Sequence, residues 1–431
     1  MAPVTLTLSL LLLVTAGVFA EKFDFHGYEL LSVFARNIVD VEILAELGEK
    51  HPELDFWLEP APQKNTTVLV PPQFLQEFKD AVTEQHMPMV VMSDDVQSII
   101  DAGSERTPEH VVESKRQASG NIIDHQNYHT YSKIRDFLNQ VAAKYPNNVR
   151  VSNLNYLTSE NRPVVVVRLT GSAGTNKPVI ILEAGIHARE WISPAANLWF
   201  IEKVLRDYAA GDATAKSLLD KYDWHIVPVT NPDGYEYTHS TYRLWRKNRR
   251  YIRSSCYGVD LNRNFDVAFG TTGVSTSCSS DIYPGTAAFS EPETANIRDL
   301  FNSLVNQVVA YVSIHSYSQY VLVPWGYTNY VSRPSNQVEL DRVTKLMTTA
   351  ISQKHGKQYL HGTAYQLLNY AASGSSADWV LVRKPNLYSV AFELRPAASA
   401  SNGFVLPASQ IVASGEEYYA SLIVLAQQAK T

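Results

Sequence analysis

The sequence lacks several features that define specialised classes of protein. Its 431 residues include only 2 cysteines, and they contain no internal repeat, low-complexity tract or nucleic-acid-binding signature. The only long apolar run, Val4 to Ala20, stands at the N-terminus, so no membrane span is predicted in the rest of the chain. With 45% hydrophobic and 19% charged residues, the composition indicates a soluble globular protein with two or three folding units and a sizeable core.

The N-terminal apolar run predicts a signal peptide. It ends in Val18-Phe19-Ala20, which has the small-residue pattern of signal cleavage, and a charged segment starting at Glu21 follows. We therefore predict a signal peptide at residues 1–20 and a secreted, extracellular protein. An uncleaved membrane anchor is the alternative, because the run is close to spanning length.

Secretion gives meaning to the two cysteines, Cys256 and Cys278, which are 22 positions apart. In an oxidising compartment they are expected to form one disulfide, which would contribute on the order of 3 kcal/mol. Two buried thiols are the alternative. The sequence Asn65-Thr66-Thr67 is a glycosylation sequon and is expected on a surface.

Charge divides the chain into two parts of opposite sign. Residues 21–116 carry 19 acidic and 8 basic residues, a net charge of −11, whereas residues 117–431 have a net charge of +5. The difference predicts an acidic unit docked on a more basic body, although solubility alone is another explanation. The acidic part ends at Lys115-Arg116, a dibasic pair that indicates a processing site unless both side chains are merely solvated. We predict a pro-domain with its connecting segment at 21–116 and a main domain at 117–431.

Hydrophobic patterns predict a different fold for each part. Short strands and helical segments alternate in the first, which indicates a small α+β unit with an antiparallel sheet. The second contains apolar runs of strand length at 164–169, 179–184, 224–229, 308–314 and 388–394, with helical patterns at 194–208 and 411–428. Such a pattern is typical of an α/β fold with a mixed, largely parallel sheet and helices on both faces.

A metal site is predicted where two of these strands end. His187 and Glu190 follow the apolar run at 179–184 and are three residues apart, so their side chains can turn toward one point. Zinc accepts histidine nitrogen and glutamate oxygen, and His315 offers a third ligand after another apolar run. Three protein ligands leave the fourth position to water, as a catalytic zinc requires. Because an isolated His-x-x-Glu motif is commonplace, the remaining motifs decide its meaning.

The full series of motifs closely resembles the metallocarboxypeptidases of the pancreatic A/B type. The resemblance runs from about Tyr128 to the C-terminus, behind a matching secretory and pro-segment layout, and rests on the two zinc motifs together with Trp245-Arg246-Lys247, Val259-Asp260-Leu261-Asn262-Arg263-Asn264, Leu368-Asn369-Tyr370 and Phe392-Glu393-Leu394-Arg395. It implies the metallocarboxypeptidase fold with an eight-stranded sheet. It also implies one zinc ion per chain, held by His187, Glu190 and His315.

Glu393 is the expected general base. It lies on an otherwise apolar strand, where a carboxylate without a partner is costly, whereas a position beside the metal would let it collect a proton from water. An ion pair with Arg395 is the alternative. The resemblance further implies that Arg246 stabilises the developing oxyanion and that Asp260 orients His187. Several other basic residues surround Arg246, so an ordinary basic patch is also open.

The resemblance implies a terminal-carboxylate clamp made of Asn262 and Arg263. A guanidinium suits this role because its planar fork donates two parallel hydrogen bonds. Tyr370 corresponds to the mobile tyrosine that closes over the substrate. The outer subsite positions correspond to Arg189, Tyr317 and Phe404.

Ala377 falls in the pocket wall, where relatives that prefer basic residues carry an aspartate. It offers no countercharge, so peptides with apolar or aromatic C-terminal residues are the predicted substrates; Asn369, Tyr365 and Pro396 depart from the common pattern nearby. The resemblance therefore implies a monomeric secreted zymogen, for which a digestive lumen is a suitable compartment. We expect a trypsin-like protease to activate it and proteinaceous carboxypeptidase inhibitors to bind it, and we expect no nucleic-acid or membrane partner. The alternatives are a B-type enzyme for C-terminal Lys or Arg and a non-catalytic peptide-binding protein on the same fold.

Overall fold

A computed structural model describes residues 22–172, 174, 176–329 and 334–429; the predicted signal peptide lies outside them. The N-terminal unit is a four-stranded antiparallel sheet in the order β2-β3-β1-β4. Its elements are β1 (Glu29–Ala35), α1 (Ile38–Lys50), β2 (Asp55–Leu58), β3 (Lys64–Val70), α2 (Leu75–Glu84) and β4 (Met89–Ser93).

The pleat of β1 gives this small sheet two apolar faces. Leu31 and Val33 pack with Leu44 and Phe78 of the two helices, whereas Leu30, on the opposite face, packs toward the rest of the protein. The antiparallel α+β unit predicted from the sequence is therefore present, with one face available to another domain.

The connecting segment contains two helices. These are α3 (Val96–Ser104) and α4 (Glu109–Ser119), separated at Pro108, whose ring prevents a continuous helix. The dibasic pair lies within α4, where Arg116 donates to Glu113 at 2.6 Å.

The main domain is built on an eight-stranded sheet in the order β13-β12-β14-β11-β7-β8-β6-β5. Four of its seven pairings are parallel and three are antiparallel. Its strands are β5 (Val149–Leu157), β6 (Pro163–Leu169), β7 (Val179–Ala184), β8 (Asp223–Val227), β11 (Val308–Ser318), β12 (Tyr320–Val323), β13 (Leu360–Thr363) and β14 (Tyr388–Ala397). A separate short hairpin consists of β9 (Tyr251–Arg253) and β10 (Cys256–Tyr257).

Helices cover both faces of the large sheet, as the apolar strand runs predicted. One core lies beneath α5, α6, α7, α10 and α13, and the other lies beneath α9 and α12. The helices of this domain are α5 (Tyr131–Lys144), α6 (Ile192–Ala209), α7 (Ala213–Lys221), α8 (Pro232–Ser240), α9 (Pro292–Leu304), α10 (Gln337–His355), α11 (Ala364–Leu368), α12 (Ser376–Arg383) and α13 (Ile411–Gln428).

The disulfide predicted from the two cysteines is present. Cys256 and Cys278 are bonded to each other, with their Cα atoms 5.9 Å apart. Within the described ranges, no helix combines the length and the hydropathy needed to cross a membrane.

Candidate metal centre and substrate cleft

Two neighbouring strands bring the candidate metal-binding side chains together. β7 ends at Ala184, and Gly185 turns the chain with a φ of 63°, where an added Cβ would lie only 3.1 Å from the Cα of Val229. His187 and Glu190 occupy the turn that follows, before α6. His315 lies on β11, which pairs directly with β7. It was expected at a strand end, but β11 continues for three residues beyond it.

The donor atoms of these residues converge on one point. The Nδ1 atoms of His187 and His315 are 3.1 Å apart, and Glu190 places Oε1 2.8 Å from the first and Oε2 3.2 Å from the second. All three side chains are buried. Two imidazole nitrogens can face each other at this distance when they share a cation, and two histidines with one glutamate are donors that zinc uses. The residues present therefore fit a zinc ion.

Asp260 links the metal centre to Arg246. The Nε2 atom of His187 lies 3.1 Å from Asp260 Oδ1, and Arg246 donates from Nη2 to Asp260 Oδ2 at 2.9 Å. Burial opposes ionisation of Asp260, but the charges of Arg246 and His187 outweigh it and hold the pKa of this carboxyl well below its usual value. The same Arg246 has Nη1 3.9 Å from Glu190 Oε1, so it adds positive charge at the edge of the centre.

Glu393 stands beside the metal centre because β14 pairs in parallel with β11. The register places Glu393 opposite His315. Burial, together with the negative charge of Glu190, raises the pKa of the Glu393 carboxyl to about 8, whereas positive charge at His315 and Arg246 opposes the rise. A cation bound nearby would oppose it further.

Arg395 does not form the alternative ion pair with Glu393. Its Nε atom donates to Glu417 Oε2 at 2.9 Å, and its Nη2 atom donates to Glu417 Oε1. The carboxylate of Glu393 is therefore left for the cleft, which it lines.

Asn262 and Arg263 lie together on a single turn of 3-10 helix that Asp260 caps. The backbone N–H of Ser376 donates to Asn262 Oδ1 at 3.0 Å, and Arg263 donates from Nε to the carbonyl of Gly273 at 2.8 Å. These bonds fix both side chains while using neither Asn262 Nδ2 nor Arg263 Nη2. Both residues line the cleft, where these donors suit a carboxylate.

These groups line one cavity of about 570 Å³, as does Tyr370. Several small residues also line it, and they leave space for a side chain: Gly326, Ala364, Ala372, Ala377 and Ala391. Asp378 borders the pocket too, but its carboxylate accepts the backbone N–H groups of Gly326 at 2.9 Å and Tyr327 at 3.1 Å. Its charge is therefore directed at the backbone, and the wall is largely apolar.

The N-terminal unit covers the three residues that were expected to form outer subsites. Arg189 is 1% exposed and donates to both carboxylate oxygens of Asp55, at 2.7 and 2.8 Å. Trp57 packs edge-on against Tyr317 and Phe404, with ring centroids 6.4 and 5.2 Å away. In the uncut chain these residues therefore contact the N-terminal unit.

The strand connection after β2 also reaches the cleft. The carbonyl of Pro62 accepts a hydrogen bond from Asn369 Nδ2 at 2.6 Å. Asn369, which departs from the common pattern of the family and precedes Tyr370, therefore has a partner in the N-terminal unit. Glu59 lines the cavity; burial raises the pKa of its carboxyl to about 7, although Arg263 and Arg246 oppose the rise.

Sequence reasoning missed a further buried carboxylate near the metal centre. Glu183, on β7, is fully buried and accepts a hydrogen bond from Ser313 Oγ at 2.7 Å. Its signal was present, because Glu183 interrupts an apolar strand as Glu393 does. The contacts of Asp55, Trp57 and Glu59 could not be found in this way, since nothing in their sequence indicates which surface they meet.

Comparisons with known proteins agree with this geometry. A family described as zinc carboxypeptidase matches residues 134–421, and one described as carboxypeptidase activation peptide matches residues 31–103. Carboxypeptidase A1 of Mus musculus is 37% identical, covering 97% of each chain, and carboxypeptidase A2 of Rattus norvegicus is 38% identical, covering 96% of this chain and 97% of its own. The solved structure of thrombin activatable fibrinolysis inhibitor aligns with a TM-score of 0.82 and 30% identity over 93% of this chain and 98% of its own. The carboxypeptidase A of Helicoverpa armigera gives 0.82 and 28% over 94% and 98%.

Proposed function

The chain belongs to the zinc carboxypeptidase family and carries an activation peptide, and we propose that it is a secreted zymogen whose mature form removes apolar or aromatic C-terminal residues from peptides. The observation that carries this proposal is the cleft itself. The same cleft is lined by the candidate metal ligands His187, Glu190 and His315 and by the carboxylate of Glu393. It is also lined by Asn262 and Arg263, which have hydrogen-bond donors for a carboxylate.

His187, Glu190 and His315 would hold the zinc ion. When bound, zinc supplies a Lewis acid that polarises the scissile carbonyl and increases the acidity of water. Asp260 would hold the His187 ring with its Nδ1 lone pair toward the metal, since the Nε2 proton is donated to this carboxylate.

Glu393 would remove a proton from the attacking water and deliver it to the leaving amine. Its partly buried position raises its proton affinity, which suits both halves of that transfer. Arg246 would stabilise the negative charge that develops on the carbonyl oxygen, and its bond to Asp260 holds the guanidinium in place for this purpose.

Substrate selection would rest on the free C-terminus and the last side chain. Asn262 and Arg263 have unused donors for the terminal carboxylate, and Tyr370 would close over it. The last side chain would enter the pocket beside Ala377. A basic side chain would find no opposing charge there, because the Asp378 carboxylate is engaged by backbone N–H groups. The engagement of the Asp378 carboxylate favours A-like specificity over B-type specificity. B-type specificity is the second candidate, because the chain also resembles thrombin activatable fibrinolysis inhibitor.

The N-terminal unit would act as the inhibitory pro-domain, with boundaries at 21–116 and the mature enzyme at 117–431. Its contacts through Asp55 and Trp57 cover Arg189, Tyr317 and Phe404, the residues proposed to bind the outer part of the substrate. Cleavage after Arg116 by a trypsin-like protease would release it. The disulfide supports secretion, because such bonds persist in oxidising compartments.

The protein would be a monomer. Its partners would be peptide substrates, an activating protease and proteinaceous inhibitors. A bovine thrombin-activatable fibrinolysis inhibitor, 35% identical over 71% of this chain and 98% of its own with a TM-score of 0.65, has been solved with a tick carboxypeptidase inhibitor. That complex supports the expectation that this chain also binds a proteinaceous carboxypeptidase inhibitor.

The test uses the full precursor before and after trypsin treatment. We expect one zinc ion per chain. After cleavage, among matched peptides ending in Phe, Leu, Lys or Glu, the enzyme should release Phe and Leu. Chelation of the zinc should abolish this activity. Faster release of Lys would favour the B-type reading. Zinc binding without any release would contradict the proposed reaction.

A further inference from the structure

Glu183 is a buried carboxylate whose hydrogen-bond donors are hydroxyl groups. It is 0% exposed. Thr230 donates to Oε1 at 3.1 Å, and Oε2 receives hydrogen bonds from Tyr311, Ser313 and Ser376 at 3.2, 2.7 and 3.2 Å. These four hydroxyl groups give the carboxylate the hydrogen bonds that a buried polar group needs.

The sheet register connects this carboxylate to the metal centre. Ser313 lies opposite Glu183 in the parallel β7–β11 pair, and the two-residue period of β11 puts His315 on the same face as Ser313. The hydroxyl oxygen of Ser313 is consequently 2.9 Å from His315 Nε2, on the side of the ring away from Nδ1. One hydroxyl thus bridges a carboxylate and an imidazole.

The direction of these two hydrogen bonds follows from proton counting. Glu183 accepts from the hydroxyl groups around it, so Ser313 donates its only hydroxyl proton to Oε2 across the 2.7 Å contact. Ser313 then accepts from His315, which requires the proton of the neutral ring to be on Nε2. The Nδ1 lone pair is left facing His187 and Glu190, where a metal ligand needs it.

We propose that Glu183, acting through Ser313, is a positioning residue that fixes the tautomer and ring orientation of His315. This inference rests on the proposed role of His315 as a zinc ligand. It gives the two histidines different supports: His187 is held directly by Asp260, whereas His315 is held by a carboxylate through a hydroxyl.

The relay also touches the substrate side of the cleft. Ser376, which donates to the same Oε2 atom of Glu183, begins α12 and gives its backbone N–H to Asn262. The carboxylate therefore anchors the helix that carries Ala377 as well as the ring of His315.

Ser313→Ala tests the link to His315, and Tyr311→Phe is its matched control. Each variant removes one hydroxyl donor from Glu183 Oε2, but only Ser313 also contacts His315. The full precursor is stripped of zinc, its zinc dissociation constant is measured by competition with a chelator, and its apo-form melting temperature is recorded. We expect zinc affinity to fall on the order of 10- to 100-fold in Ser313→Ala and by much less in Tyr311→Phe. Similar melting temperatures of the two apo variants would accompany that result.

Glu183→Gln, alone and combined with Ser313→Ala, tests whether the carboxylate acts through the serine. The amide is a weaker acceptor, so zinc affinity should fall in the wild-type background and should not fall further when Ser313 is absent. Wild-type zinc affinity in Ser313→Ala, equal losses in Tyr311→Phe, or an undiminished Glu183→Gln effect in the double variant would each overturn the relay. Failure of the wild-type protein to bind zinc would instead refute the proposed function.

Discussion

Substituting Ala377 by Asp should change the C-terminal preference of the mature enzyme from Phe toward Arg. Ala377 lines the pocket and is the second residue of α12, behind the N-cap Ser375. A carboxylate in the first turn of a helix is favoured by the helix dipole, so the substitution should be tolerated by the fold. The small side chains of Gly326 and Ala391 leave room for it.

The size of the change in preference follows from what the new carboxylate does with each of the two substrates. With a Phe-ended peptide, the new carboxylate is desolvated without a partner, which costs about 1–3 kcal/mol. With an Arg-ended peptide it gains an ion pair in a partly buried site, which we take as roughly 2 kcal/mol. The ratio of kcat/KM values should therefore shift by about 4 kcal/mol, or nearly 10³-fold. A change of one methylene in pocket size alters such ratios only about 10- to 200-fold.

The assay compares kcat/KM for matched peptides ending in Phe or Arg, using trypsin-treated protein. Ala377→Asn is the closest control because it matches the shape of Asp without the charge, and Ala377→Val reports the effect of size alone. The shift should be confined to the Asp variant. A wild-type preference for Arg, or the same ratio in the Asp and Asn variants, would remove Ala377 from the specificity role.

Three further outcomes follow from the structure. Glu393→Gln should still bind one zinc but lose about 10²- to 10⁴-fold in kcat, because the proton acceptor is removed while the metal donors stay; normal turnover would refute the assignment. Trp57→Ala should raise the activity of the uncut precursor about tenfold or more by removing contacts with Tyr317 and Phe404, and the trypsin-treated variant should match the wild type. The kcat/KM of the mature enzyme should fall as the pH drops through the pKa of Glu393, since the base must be ionised. Burial raises that pKa to about 8 against the positive charge of His315 and Arg246, and a bound cation would lower it. The midpoint should therefore lie below 8 and above the ordinary value of about 4.3, and a midpoint at the ordinary value would contradict the argument.

Much of the main domain could be predicted because its strands are nearly continuous apolar runs. The run from Val179 to Ala184 coincides with β7, and the helical pattern from Ile411 to Gln428 coincides with α13. Burial on both faces removes the polar residues that would otherwise blur strand limits. The β11 and β14 strands extend past their apolar runs because the pairing continues after His315 and Glu393, and hydropathy carries no information about that pairing.

The candidate site was predictable to the extent that its chemistry is local. His187 and Glu190 are three residues apart in sequence, so their spacing suggested a shared metal ion, and the motifs that follow gave that spacing its meaning. The contact between Glu183 and Ser313 depends instead on the β7–β11 register, which a single sequence does not specify, although the buried carboxylate itself was visible. The split of the connecting segment at Pro108 was also visible, since proline disfavours a continuous helix.

The residues proposed for the outer subsites show why a motif alone could not describe the uncut protein. Arg189, Tyr317 and Phe404 are proposed to bind substrate in the mature enzyme, yet in the uncut chain they contact Asp55 and Trp57. The same guanidinium and aromatic rings that would recognise a peptide therefore recognise the N-terminal unit. Substitutions at these positions should alter both docking of that unit and peptide binding. Their effect on specificity can be separated only in trypsin-treated protein, where the competing partner has been removed.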